Sequence, residues 1–110
     1  MDPQTHARYV ARAKIVKALA HPTRLFIVDQ LAQRGEWCVC KLAEAIGADM
    51  STVSRHLVIL KNAGIVRDEK RGALVYYRLG PHCVLDFFGC VESLMQRNAE
   101  EQQRLLAADD

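Results

Sequence analysis

No stretch of 18 consecutive apolar residues occurs in this sequence of 110, which excludes a membrane-spanning helix. The opening Met1-Asp2-Pro3-Gln4 lacks the charged-then-apolar layout of a secretory leader, so a cytoplasmic protein is expected. Proline (three) and glycine (six) are too scarce for a disordered or fibrous chain. No internal repeat or low-complexity linker interrupts the sequence, and its length suits a single domain, residues 1–110. Four cysteines in a cytoplasmic chain are expected to be free thiols, not disulfides. What remains, half hydrophobic and a quarter charged, is the composition of an ordinary globular protein.

The small net charge of +2 hides an uneven distribution. Arg55, Lys61, Arg67, Lys70, Arg71 and Arg78 face only Asp68 and Glu69 between residues 51 and 80. From residue 84 on, Arg97 and Arg104 face Asp86, Glu92, Glu100, Glu101, Asp109 and Asp110. A basic middle beside an acidic tail suggests one surface for a polyanion and another for water or protein.

Apolar spacing divides the chain into helices and one hairpin. Thr5 to Ala20 has no breaker and reads as a first helix, with Tyr9, Ala13, Val16 and Ala20 near one stripe. His21-Pro22 ends it, and Pro22 suits the first turn of the next helix, where Leu25, Val28 and Leu31 recur until Arg34-Gly35. Cys38 to Ile46 is expected to form a short third helix. Asp49 is placed to cap a fourth, in which Val53, Leu57 and Leu60 point inward. Two helices joined by Gly47-Ala48 fit a helix-turn-helix over about residues 38–64. The period then changes to two: Val75, Tyr77 and Leu79 alternate with Leu74, Tyr76 and Arg78 behind a charged turn, Asp68 to Gly72. That is a β-hairpin over about 65–80. A strongly apolar helix over about 82–107 follows, with Val84, Phe87, Phe88, Val91, Leu94 and Met95.

This order, mainly α with a small β-hairpin, is that of a winged helix-turn-helix. Such a domain lays one helix in the major groove of double-stranded DNA and a basic hairpin along the neighbouring phosphates. Short polar donors and a long cation near the start of the reading helix suit base edges. Ser51, Thr52, Ser54, Arg55 and His56 supply that set. A Ser/Thr-rich first turn also serves capping, and His56 can equally be a hydrogen-bonded structural residue. About three phosphate contacts per protomer would give binding a log–log salt slope near −5.

Lys17-Ala18-Leu19-Ala20-His21-Pro22-Thr23-Arg24-Leu25, then Ser51-Thr52-Val53-Ser54-Arg55-His56-Leu57, then Leu60-Lys61-Asn62-Ala63-Gly64-Ile65-Val66, closely resemble the ArsR/SmtB family of metal-responsive repressors. The resemblance covers roughly residues 8–80. It implies a homodimer joined through its terminal helices, bound to an inverted-repeat operator and released by an inducer. It also implies that Ser51, Thr52, Ser54, Arg55 and His56 face DNA, with Arg71 at the wing.

Trp37-Cys38-Val39-Cys40 resembles the arsenic-sensing branch, whose pattern is Cys-Val-Cys at the start of the third helix. Soft thiolates select thiophilic ions, and arsenic(III) or antimony(III) is such an inducer. The plainer alternative is that buried cysteines act as small apolar fillers. In a regular helix Cys38 and Cys40 would point about 200° apart, so gripping one ion would require the first turn to unwind. The family's third cysteine is replaced here by Ala43, leaving Cys83 or Cys90, or a small external thiol, as third ligand. Seven residues apart on one helix, about 10.5 Å, Cys83 and Cys90 cannot both reach one ion. With only two thiols, a singly methylated arsenical becomes the better ligand.

Other chemistries are disfavoured. The family's zinc or nickel site on the last helix needs a late histidine, and none follows His82, although Asp86 and Glu92 are present. A zinc site built from all four cysteines has no recognised spacing. No His or carboxylate constellation is placed to activate a thiol, and no cofactor loop occurs, so neither an enzyme nor an organic cofactor is expected. A redox-responsive or other thiophilic-metal-responsive regulator of the same fold is the alternative.

Overall fold

The computed structural model describes residues 1–108; Asp109 and Asp110 of the acidic tail lie outside the described residues. Five helices and three strands follow one another: α1 (Pro3–Leu19), α2 (Pro22–Arg34), β1 (Glu36–Cys38), α3 (Val39–Ile46), α4 (Met50–Asn62), β2 (Val66–Arg71), β3 (Leu74–Leu79) and α5 (Val84–Ala108). The expected winged helix-turn-helix is present. No helix among the described residues is long and apolar enough to cross a membrane.

Each boundary has a local cause. Asp2 caps α1 by accepting from the Thr5 N–H at 2.8 Å, and Pro3 opens the helix. His21 caps α2 through Nδ1, which accepts from the Thr23 N–H at 3.1 Å. Asp49 caps α4, accepting from the Thr52 N–H at 2.8 Å and the Ser51 hydroxyl at 2.7 Å. These bonds hold its carboxyl near about 2, the Ser51 hydroxyl contributing most. Gly47 turns the chain between α3 and α4 at φ +79°, a left-handed conformation that a side chain would strain.

The core lies where α2, α3, α4 and the sheet meet. Ile27, Val28, Leu31, Leu42, Val53, Leu57, Leu60 and Val66 are almost wholly enclosed. The inward set expected for α4 is therefore buried. In α2 the stripe is rotated: Ile27, Val28 and Leu31 form the core, while Leu25 is exposed. One extra position per turn in that run of apolar residues left the true face ambiguous.

Three further expectations are corrected. The hairpin is part of a three-stranded antiparallel sheet, ordered β1-β3-β2, because Glu36, Trp37 and Cys38 pair with Arg78, Tyr77 and Tyr76. Asp68 to Arg71 belong to β2, and the turn is shorter, at Gly72-Ala73, with Gly72 at φ +62°. Third, α3 begins at Val39, one residue later than expected. Cys38 is its N-cap residue, in extended conformation (φ −79°, ψ 159°).

α5 is 25 residues long and buries none of them completely in the single chain. Val84, Leu85 and Phe88 pack on the core, whereas Phe87, Val91, Leu94 and Met95 form an exposed apolar stripe. Tyr9, Val10, Ile15 and Val16 of α1 are exposed as well.

Candidate sensor and nucleic-acid interface

The extended backbone at Cys38 changes the geometry of the two thiols. One residue stands at the end of β1 and the other in the first turn of α3, so their side chains converge. The sulfurs lie 2.6 Å apart, inside non-bonded contact yet beyond the roughly 2.05 Å of a disulfide. The expectation that this pair diverges by about 200° is thus overturned, and both sulfurs face one point with α3 intact. Cys38 is buried and Cys40 half-buried.

The two thiols differ electrostatically. Burial opposes ionisation of Cys38, but the Cys40 thiol and the backbone N–H groups of Lys41, Cys40 and Cys38 itself more than offset it, so its pKa falls below the usual thiol value. Cys40 moves the other way, chiefly because its thiol is bonded to Cys38, with burial and the neighbouring charge adding to the rise. Either thiol can donate in the contact, and the opposite shifts favour Cys38 as the acceptor.

Among the described residues no third His, Cys, Asp or Glu gathers with this pair. Cys83 precedes α5 and Cys90 lies within it, both exposed. Neither is gathered with Cys38 and Cys40 among the described residues.

Trp37, between the sensor and the helix before it, lies under Arg34, whose guanidinium carbon is 3.9 Å from the ring centroid. Glu36, on the same face of β1 as Cys38, reaches the wing: its carboxylate accepts two bonds from the Arg71 guanidinium, at 2.6 and 2.9 Å. Arg71 donates further to Glu69 at 2.8 Å and covers the Tyr76 ring at 4.8 Å. The wing cation expected to meet DNA is present at the hairpin end, but its guanidinium is already engaged. Glu36 gave no sign of this in the sequence, since nothing local marks a partner 35 residues away.

On α4, Ser51 and Arg55 are exposed, while Thr52 and Ser54 are half-buried. His56 departs from the expected set. Its Nδ1 accepts from Arg24 Nε at 3.2 Å, and its ring lies 4.5 Å from that of His21. Arg24 also donates to the Ala18 carbonyl at 3.0 Å. At 100° per residue His56 stands only about 60° from Val53 around α4, so it flanks the buried face and ties α4 to α2. Its Nδ1 is engaged within the chain, the arrangement its alternative reading describes.

The profile of the bacterial regulatory protein, arsR family, matches residues 21–68. A solution structure of the homodimeric winged helix-turn-helix DNA-binding domain of a possible ArsR-family regulator from Mycobacterium bovis is 34% identical. It aligns over 92% of this chain and 93% of that one, with a TM-score of 0.77. This chain belongs to the ArsR family. Two further proteins are similar to this chain. The arsenical resistance operon repressor of Escherichia coli K12 is 45% identical over 69 residues, which are 63% of this chain and 59% of that repressor. The chain thus spans about three fifths of the length of that curated relative. The crystal structure of the antimony-specific repressor AntR is 31% identical over 91% of this chain and 90% of that one, with a TM-score of 0.74. The family is one of DNA-binding transcriptional regulators, not enzymes.

Proposed function

We propose that this ArsR-family protein is a homodimeric transcriptional repressor in the cytoplasm. It holds an inverted-repeat operator with α4 and the wing, and it releases that DNA when trivalent arsenic or antimony engages Cys38 and Cys40. One observation carries the sensor half: two thiols 2.6 Å apart, one of them inclined to ionise, at the junction of β1 and α3. Such a donor set fits a soft, thiophilic ligand and nothing hard. With two sulfurs offered and no third nearby, the ligand suited best has two open valences, as a singly methylated arsenical has, or completes its shell from outside the chain.

The position of the pair supplies a route to both DNA-reading parts. Cys38 pairs with Tyr76 of the wing across β1 and β3, and Val39, Leu42 and Ala43 of α3 are buried in the core that α4 shares. A bound metalloid supplies strong bonds to sulfur in place of the Cys38–Cys40 hydrogen bond. β1 carries Glu36 and its hold on Arg71, so displacement of that strand reaches the wing. A coupling of about 1–3 kcal/mol, usual for allostery, weakens operator binding about 5- to 150-fold. The dimer is supported by the exposed apolar stripes on α1 and α5, which a single chain leaves to water.

The test is fluorescence anisotropy of a labelled operator duplex, titrated with arsenite in excess reductant. Release by arsenite, lost in the C38S/C40S variant while DNA binding persists, supports the reading. DNA that stays bound at saturating arsenite removes it. The same 2.6 Å contact favours one alternative, a redox response in which the two thiols form a disulfide and a peroxide takes up two electrons and two protons as water. Release by peroxide with none by arsenite selects that alternative.

A further inference from the structure

α1 carries cations of its own, outside the basic stretch of residues 51–80. Along Pro3–Leu19 stand Arg8, Arg12, Lys14 and Lys17, and no acidic residue. Two of these, Lys14 and Lys17, are exposed and form one wall of a groove of about 830 Å³ between α1 and α4. Ile15 and Arg24 lie on the same side, Ile59 and Asn62 of α4 line the other, and no acidic side chain lines it.

The groove continues the outward face of α4. At 100° per residue, Arg55, Ile59 and Asn62 fall within about 60° of one another, and all three are exposed. Seven residues of helix separate Arg55 from Asn62, about 10.5 Å. The major groove of B-DNA is about 12 Å across. A duplex with Arg55 at its base edges therefore brings one bounding sugar–phosphate strand to the far end of α4, where Lys14 and Lys17 stand.

We infer that the α1–α4 groove seats the DNA phosphodiester backbone, with Lys14 and Lys17 as phosphate contacts additional to α4 and the wing. The inference rests on the DNA-binding reading above and extends it to an element outside the helix-turn-helix. Arg24 is spoken for by His56 and the Ala18 carbonyl, so its part is to brace the groove floor. Lys14 and Lys17 take part in no ion pair among the described residues. Point charges on phosphate contribute affinity without sequence preference and release counterions.

The experiment follows binding of a fluorescein-labelled random-sequence DNA duplex between about 50 and 200 mM salt. Unaltered protein, K14Q/K17Q and K14R/K17R are compared, with sedimentation to follow oligomeric state. K14Q/K17Q is expected to bind more weakly at low salt, with a log–log slope less negative by about 2 per protomer, from 0.9 per lost phosphate contact. K14R/K17R, which keeps the charge, retains the original slope. An unchanged slope in K14Q/K17Q overturns the inference alone, because the unaltered protein still binds. A changed oligomeric state also overturns it, by assigning the groove to a second copy of the chain. Failure of the unaltered protein to bind the duplex at any salt overturns the DNA-binding reading and this inference together.

Discussion

The lock between α2 and α4 is a neutral histidine, and that makes stability depend on pH in a definite direction. Burial holds the His56 pKa below the ordinary histidine value, with His21, Arg24 and Arg55 adding to the effect. The bond from Arg24 requires an unprotonated Nδ1. A base whose pKa is depressed by folding binds its proton more readily when unfolded. Below the unfolded value near 6.5 the unfolded chain therefore gains protons that the folded chain does not, and stability falls as pH falls. The ceiling is one proton, so between pH 7.5 and 5.5 the loss is at most about 1.4 kcal/mol, roughly three quarters of it below pH 6.5. Urea unfolding at the two pH values, at one fixed protein concentration, measures it. H56N supplies the comparison: asparagine can still accept from Arg24 but does not titrate. The displaced carboxylates Asp2, Asp29, Glu36 and Asp49 are common to both proteins and cancel. An equal loss of stability in H56N, or a wild type more stable at pH 5.5, refutes the reasoning.

Other consequences are as direct. Leu57 is completely enclosed between α4 and the core, so Leu57→Ala is expected to cost about 2–5 kcal/mol in denaturant unfolding. Glu36→Gln frees the Arg71 guanidinium from its two-bond hold; duplex DNA should bind more tightly at low salt, with a steeper salt slope, as anisotropy would report. The same substitution should blunt release by arsenite in part, because it removes the side-chain link from β1 to the wing and leaves the pairing with β3. Arg55→Ala should remove discrimination between operator and scrambled duplex while leaving the unfolding midpoint unchanged, since the residue is exposed.

Where one helix period or one strand period dominated, the sequence was sufficient. Val53, Leu57 and Leu60 on α4, and Tyr77 and Leu79 on β3, are buried as their spacing implied. Asp49 caps the reading helix for the reason its position suggested. Three residues of strand were illegible, because Glu36-Trp37-Cys38 is too short to show alternation and owes its conformation to pairing with β3. That single omission misplaced the cysteine pair: with Cys38 assigned to a helix, the thiols diverge, and with Cys38 on a strand end they touch. The internal bond of His56 was illegible for a different reason. It belongs to the polar run that reads as a DNA-facing set, yet its angle around α4 puts it beside Arg24. The cations of α1 are spread along a helix with no basic run to mark them, and only the fold sets Lys14 and Lys17 beside α4.

The claim on which the rest depends is that Cys38 and Cys40 together hold the inducer. X-ray absorption at the arsenic edge, on reduced protein loaded with one equivalent of arsenite per protomer and no other thiol, reads the shell directly. Two sulfurs around each arsenic, reduced to none in C38S/C40S, is the expected result. Sulfur around arsenic that survives the double substitution would place the metalloid at Cys83 or Cys90 and contradict the account.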